Sequence, residues 1–465
     1  MTYNPHRAKS SETVSSNRPI SSLAYVLPIG ASLQFDGLTH PVTVIRGLGG
    51  GTQGQVYEVD HVGERVALKW YFPATLSRDP NLENRLRQSI QATAPSDSFL
   101  WPIALLRNGA GTAKYIQLKE QGYGYLMPLR PSGYVGAHEH YGGHIDISLQ
   151  NVIKACLYLA DAFHQLHLKG LCYKDISIGN LFLDPNSGKI LICDNDNVDV
   201  DGRELGSVLG TPGFMAPEIL LGHARPGVNS DLFSLAVLIF RLLTRHDPLK
   251  GRMELEIHCL DEPAKRYLYG EDPVFVFDPA DNRNRPDPIH HSAVLITWPI
   301  YPPCLQQVFI QTFCEGMKQP QKRALTGQWT RAFATVLNQR VLCPKCKQEN
   351  FPEQGVPATC WSCGAELVAP MQLRMAAATV AAQPENELQP HHFNRLAEVG
   401  IMAPIGRICS HPSQPGVLGL ENLSPHPWSV ELINGQQLEL ESHQRCNLAA
   451  VQRLHTPAGP IEVLR

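Results

Sequence analysis

Tyr173-Lys174-Asp175-Ile176-Ser177-Ile178-Gly179-Asn180, followed by Leu181-Phe182-Leu183, decides how the rest of this chain is read. A carboxylate and an amide five residues apart on one loop can face a single site, the Asp taking a hydroxyl proton and the Asn holding a metal ion. Further along, Asp194 follows the β-patterned Ile190-Leu191-Ile192 and offers a second metal ligand. Gly210-Thr211-Pro212-Gly213-Phe214-Met215-Ala216-Pro217-Glu218 comes next, and Asp231 opens an apolar helix containing Phe233-Ser234-Leu235-Ala236-Val237-Leu238-Ile239-Phe240.

Upstream, Gly49-Gly50-Gly51-Thr52-Gln53-Gly54-Gln55-Val56 fits G-x-G-x-x-G-x-V between two β-patterned runs. Glycines let backbone N–H groups approach phosphate oxygens closely. Alone, the run fits a glycine-rich hairpin equally well. Val66-Ala67-Leu68-Lys69 then puts a lysine at the end of an apolar strand. Leu82, Leu86 and Ile90 give the spacing of an amphipathic helix, which carries Glu83, the only glutamate between residues 70 and 99. Glu83 is the expected ion-pair partner of Lys69, with Asp79 as its rival.

In this order and spacing, the chain from about Ser22 to Leu337 resembles a eukaryotic-type protein kinase domain, a family present in bacteria as well. The resemblance implies an α+β, bilobal fold, with a sheet-rich lobe to about residue 126, a helical lobe after about 131 and a hinge near Leu126 to Arg130. By the same resemblance, Gly49, Gly51 and Gly54 cover the ATP phosphates. Val56 and Ala67 sandwich the adenine with Phe182 beneath it. Lys69 contacts the α- and β-phosphates while paired with Glu83, Asp175 orients the substrate hydroxyl, and Asn180 and Asp194 hold Mg²⁺. Glu218 is expected to pair with Arg323. The implied activity is γ-phosphoryl transfer from Mg-ATP to Ser/Thr hydroxyls of protein substrates. The alternative is a pseudokinase scaffold that binds nucleotide or partners without transfer.

The departures from the family pattern define what the structure must answer. Tyr173-Lys174-Asp175 stands for the usual His-Arg-Asp, keeping a cation. Asp194-Asn195-Asp196 stands for Asp-Phe-Gly, losing the packing Phe and the flexible Gly, and Asp196 is the alternative ligand in a register two residues later. Ser177 occupies the position where Ser/Thr kinases usually carry a lysine for the γ-phosphate. Ser207 and Thr211 are the only hydroxyl residues between Asp194 and Glu218. A phosphorylated Ser207 could be read by Lys174. Asp199, Asp201 and Glu204 could instead supply permanent negative charge.

Downstream, Cys343-Pro344-Lys345-Cys346 and Cys360-Trp361-Ser362-Cys363 form two C-x-x-C knuckles. Two such turns can place four thiolates tetrahedrally on one structural Zn²⁺, with two redox pairs or free thiols as the alternative. The expected division is a disordered tail at 1–22, a kinase domain at 23–338, a zinc ribbon at 341–368, a linker or helix at 371–395 and a small β domain at 400–465. Part of that last unit, Gly419 to Leu432, loosely resembles half of a phosphopeptide-binding sandwich, although a plain β domain for protein interaction is the favoured reading. The stretch between Pro248 and Pro303 resembles a segment of bacterial kinases encoded beside von Willebrand factor A-type proteins and metal-dependent phosphatases, which are the partners this implies.

The balance of 40 Lys+Arg against 43 Asp+Glu gives a formal charge of −3. That speaks against a nucleic-acid or anionic-membrane binder, and the ribbon carries no basic patch. No apolar run approaches the length of a membrane span. Twelve cysteines without a secretory leader fit a reducing, cytoplasmic compartment.

Overall fold

Apolar and polar residues alternate through much of Val42–Tyr71, and period two puts every second side chain on one face of a strand. Three long strands result: β2 (Val42–Gly50), β3 (Gly54–His61) and β4 (Glu64–Tyr71). With β1 (Ser32–Leu33), β5 (Ala104–Leu105) and β6 (Tyr123–Pro128) they form an antiparallel sheet in the order β1-β2-β3-β4-β6-β5. One face of the sheet buries Val44, Tyr57, Val59, Leu68, Trp70 and Leu126. Two helices follow β4: α1 (Pro73–Arg78) and α2 (Leu82–Ala92). This computed structural model describes residues 25–106, 122–202, 209–353, 355–394, 396, 403–414 and 416–465. The expected tail at 1–22, together with Glu204 and Ser207, lies outside the described residues.

The described residues up to Ile90, with Pro102–Leu129, form one compact unit; Gln91–Trp101 and Arg130–Arg465 form the second. In the second unit β7 (Val135–Gly136) and α3 (Ala137–Tyr141) precede the long helix α4 (Leu149–Leu168). The short strands β8 (Leu171–Cys172), β9 (Leu181–Leu183), β10 (Ile190–Ile192) and β11 (Asp199–Val200) come next. They pair antiparallel as β10-β9-β7 and β11-β8. Helices α5 (Pro217–Leu220), α6 (Val228–Thr244) and α7 (Thr326–Asn338) complete the frame.

Helix α6 is apolar around most of its circumference, which is the signature of a helix enclosed by others. It buries Phe233, Leu235, Val237, Ile239 and Phe240 in one core with Ile153, Leu159 and Phe163 of α4 and Trp329 and Phe333 of α7. Each such side chain contributes about 1.5–3 kcal/mol on burial. The long stretch between Pro248 and Pro303 joins this core: Phe275 and Val276 are fully buried, and Phe277 stacks on Trp298 with centroids 4.6 Å apart. Among the described residues, no single helix is long and apolar enough to cross a membrane.

Beyond α7, β12 (Val341–Leu342) and β13 (Glu349–Asn350) form a hairpin bearing the first cysteine knuckle. The expected linker at 371–395 is instead strand: β14 (Gln372–Arg374), β15 (Thr379–Ala381) and β16 (Glu387–Leu388). β14 pairs with β23 (Gly459–Leu464) at the far end of the chain. The six-stranded order is β15-β14-β23-β22-β19-β20, with β19 (Trp428–Leu432), β20 (Gln437–Leu440) and β22 (Val451–Thr456). β16 joins β17 (Gly406–Ser410), β18 (Leu418–Asn422) and β21 (Arg445–Asn447) in a second sheet. Both sheets contribute to one apolar core, with Leu373, Val380 and Ala382 inside it beside Trp428. The alanine-rich composition concealed this role, because small residues at alternate positions fill a sheet interior without a strong apolar signature.

Candidate active site and metal centre

In the N-terminal unit, the glycine run forms the turn between β2 and β3, where the Gly51 amide donates to the Gly54 carbonyl at 2.9 Å. A Cβ on Gly54 would lie 2.0 Å from the Trp70 carbonyl oxygen, so the close approach of β3 to β4 requires glycine there. At Gly49 and Gly51 nothing lies within 4 Å of such a Cβ. Strand register sets Val56 opposite Lys69 and Lys69 opposite Tyr125, while Ala67 sits between Glu58 and Met127. These residues share the face opposite the apolar core, because Leu68 and Trp70 take the other face. Lys69 is 5 % exposed, with its ammonium 5.3 Å from the centre of the Tyr71 ring.

The expected Lys69–Glu83 pair is not formed. Glu83 Oε1 is held by Arg87 Nη2 at 2.8 Å, and Arg87 also reaches Asp36 at 3.1 Å. The rival, Asp79, forks with Arg85 at 2.9 and 2.5 Å. The reason is helical periodicity: α2 buries Leu82, Arg85, Leu86 and Ser89, which places Glu83 off the packed face and beside its i+4 neighbour.

In the second unit, the segment beginning Tyr173-Lys174-Asp175 is held by Asp231, which the sequence places at the head of an apolar helix. Its carboxylate accepts from the Tyr173 amide at 2.7 Å and the Lys174 amide at 2.9 Å, and meets His167 Nε2 at 3.2 Å. Asp231 is 1 % exposed, so these bonds replace its lost hydration. Lys174 adopts a left-handed backbone, φ 70°. Its ammonium turns to Asp199 Oδ2 at 2.9 Å, with both side chains buried. The Tyr173 hydroxyl donates to the Cys193 carbonyl.

Asp175 Oδ1 accepts from Thr211 Oγ1 at 2.6 Å. Asn180 Nδ2 donates to the Asp175 carbonyl at 3.0 Å, and the Asn180 carbonyl accepts from the Cys193 amide at 3.0 Å. These bonds tie Asp175, Asn180 and the strand leading to Asp194 into one frame. Burial, with the nearby charge of Asp194 and Asp196, pushes the Asp175 carboxyl above its ordinary value, against the Thr211 and Asn180 hydrogen bonds. Phe182 on β9 carries the Arg130 guanidinium 4.3 Å above its ring.

Asp194 is left-handed, φ 55°, and heads a single helical turn at Asn195–Asn197. Asn195 is fully buried and its amide donates to the Leu100 and Ile192 carbonyls at 2.8 and 3.1 Å. A polar side chain thus anchors this turn where the sequence resemblance leads one to expect an aromatic. Glu218 and Arg323 form the expected pair, bidentate at 2.7 Å for each contact. The Asn180 amide oxygen and the Asp194 carboxylate are hard oxygen donors, and that set fits Mg²⁺.

Cys343, Cys346, Cys360 and Cys363 bring their sulfurs within 4.8 Å of one another. Each knuckle is closed by a backbone bond, Lys347 N to Cys343 O at 3.0 Å and Gly364 N to Cys360 O at 2.9 Å. Both closing residues are left-handed, φ 63° and 68°. The Cys346 amide, aided by that of Lys345, draws the Cys343 thiol down to about 6. Four convergent sulfurs fit a tetrahedral zinc ion.

Residues 125–282 match the protein kinase domain family. The matched stretch contains Asp175, Asn180 and Asp194 and begins after the glycine run and Lys69. Similar proteins include the serine/threonine-protein kinase Pkn1 of Myxococcus xanthus, 27 % identical over 47 % of this chain and 32 % of the relative. PknD of Protochlamydia amoebophila, also a serine/threonine-protein kinase, is 23 % identical over 44 % of the chain and 23 % of the relative. CBL-interacting protein kinase 4 of Oryza sativa is 34 % identical over 24 % of the chain and 28 % of its own length. The chain therefore spans less than a third of the length of each of these relatives.

Proposed function

We propose that this chain, whose residues 125–282 match the protein kinase domain family, transfers the γ-phosphoryl group of Mg-ATP to Ser or Thr hydroxyls of protein substrates. The observation that carries the reading is the Asp175 frame: a half-buried carboxylate fixed by Thr211 on a loop whose amides are pinned by Asp231. Phosphoryl transfer needs little covalent work from a protein and much positioning. Asp175 accepts the hydrogen bond of the incoming hydroxyl and orients it. Asn180 and Asp194 would hold the metal ion, which when bound neutralises phosphate charge. Gly49, Gly51 and Gly54 leave backbone open to phosphate oxygens, Lys69 supplies a cation, and Val56, Ala67 and Phe182 offer apolar surface to the base. Thr211 beside Asp175 supports the Ser/Thr assignment.

The loop chemistry supports permanent rather than phosphorylation-dependent charge compensation. Lys174, the candidate reader of a phosphorylated Ser207, is buried against Asp199. The zinc ribbon is read as structural. Von Willebrand factor A-type proteins and metal-dependent phosphatases are the proposed partners, on the sequence resemblance alone, and a reducing cytoplasm suits the metal thiolates. The pseudokinase reading draws on the diversion of Glu83 to Arg87 and on Ser177 in place of a lysine.

Purified protein incubated with Mg²⁺ and γ-labelled ATP, beside Asp175→Ala, tests the proposal. Label on Ser or Thr of a generic acceptor protein, lost in the variant, is the expected result. Nucleotide binding without transfer in either sample establishes the scaffold instead.

A further inference from the structure

The first turn of α4 contains no acidic residue of its own. A helix N-terminus nevertheless leaves amide donors and a partial positive charge to be met. Ser148 Oγ takes the Asn151 amide at 3.1 Å. The Gln150 amide donates to Glu349 Oε2 at 3.0 Å, a carboxylate 199 residues away in sequence.

Glu349 lies on β13, three residues after Cys346. Its second oxygen accepts from Arg340 Nε at 2.6 Å, and Arg340 Nη1 continues to the Pro384 carbonyl at 2.8 Å and Asn386 Oδ1 at 3.0 Å. Glu349, Arg340 and Asn386 are 8 %, 6 % and 2 % exposed. The next two residues of the chain bind in the other directions. Asn350 Nδ2 reaches Cys360 Sγ at 3.7 Å, and Asn350 Oδ1 accepts from the Trp361 amide at 3.2 Å. Phe351 enters the core of the helical lobe and stacks on Tyr301 with centroids 6.4 Å apart. The Trp361 indole closes the set on the Glu349 carbonyl at 2.9 Å. Three consecutive residues thus join the cysteine cluster to the lobe.

From these contacts we infer that Glu349 is a positioning residue for the catalytic segment, held in place by the metal-organised ribbon. Helix α4 carries the effect along its length. His167, in its last turn, meets the same Asp231 carboxylate that pins the Tyr173 and Lys174 amides. The four-cysteine unit is therefore a brace of the catalytic lobe, and zinc bound there sets the order of the α4 N-terminus. The consequence for phosphoryl transfer rests on the kinase reading, whereas the brace itself does not.

Amide hydrogen exchange on the full chain tests the brace without reference to activity. Glu349→Ala is expected to speed exchange of the Gln150 amide by about tenfold or more while zinc stays at one per chain. Glu349→Gln, which keeps an acceptor oxygen, recovers most of that protection. Chelation of the wild type speeds the same amide, and chelation of Glu349→Ala adds little there, because both remove one interaction. Trp361→Phe keeps all four cysteines and loosens the Glu349 strand, so it raises Gln150 exchange even if chelation unfolds the chain. Unchanged exchange at Gln150 in Glu349→Ala, or full additivity of chelation and substitution, overturns the inference. If the chain transfers phosphate, kcat falls in Glu349→Ala with KM for ATP little changed; an unchanged kcat in a variant of an active wild type overturns the positioning role, whereas absence of transfer by the wild type counts against the kinase reading and leaves the brace standing.

Discussion

Around the segment from Leu171 to Thr211, the charges that matter are withdrawn from solvent and engaged: buried Asp231 on two amides, Lys174 on buried Asp199, half-buried Asp175 on Thr211. In the N-terminal unit, the one carboxylate expected to serve the site, Glu83, stands half-exposed on α2 and belongs to Arg87. Gly49 and Gly51 likewise face open space. The first region is preorganised by groups that cannot be removed without leaving buried donors unmet. The second keeps its functional groups on strand register and on a hairpin, where single changes leave the frame intact. A catalytic loop must hold a proton acceptor to a fraction of an ångström, whereas a glycine hairpin serves by leaving backbone accessible.

The sharpest way to break this contrast is Asp231→Ala. Two buried amides lose their acceptor, and stability should fall by about 2–4 kcal/mol with loss of the Asp175 geometry. Urea unfolding followed beside activity measures both. A loss below about 1 kcal/mol would show the loop to be held by other contacts.

Gly54→Ala comes second. Its Cβ meets the Trp70 carbonyl oxygen at 2.0 Å, so β3 must shift, at about 1–3 kcal/mol. Gly49→Ala and Gly51→Ala, with nothing within 4 Å, should stay within about 0.5 kcal/mol of wild type and show their effect on ATP affinity instead. Equal losses at the three positions would remove the distinction between a packed and an open glycine.

A pH profile sharpens the contrast further. Burial holds the Asp175 carboxyl above its ordinary range, and in the proposed mechanism its ionised form orients the hydroxyl. Activity should therefore fall on acidification at a pH above that of an ordinary aspartate. Thr211→Val removes a hydrogen bond that favours the charged form, so the acid limb should move to higher pH. A limb that stays fixed would assign it to another group. The smallest expected effect is that of Glu83→Ala, about 0.3–0.5 kcal/mol for a surface i,i+4 pair.

The helical lobe was legible because its motif residues stand in the order and at the spacing of the family that residues 125–282 match. The Glu218–Arg323 pair forms and the four cysteines converge, as their motifs led one to expect. What escaped was set by long-range packing. Asp231 at the head of its helix and Asp199 as permanent charge were visible in the sequence, but their partners, the Tyr173 and Lys174 amides with His167 and the Lys174 ammonium, lie 25 to 64 residues away. Glu83 lies next to the stripe Leu82, Leu86, Ile90, which made it the candidate partner of Lys69, yet its i+4 neighbour Arg87 holds it. The strands at 372–388 were concealed by alanine, whose small side chain packs inside a sheet without marking it.

The most direct test of the account compares label transfer from γ-labelled ATP by wild type, Asp175→Ala and Glu83→Ala under one set of conditions. The account predicts transfer to Ser or Thr by the wild type, a loss of about a thousandfold or more in Asp175→Ala and a change within about threefold in Glu83→Ala. Transfer unaffected by Asp175→Ala, or abolished equally by Glu83→Ala, would contradict it.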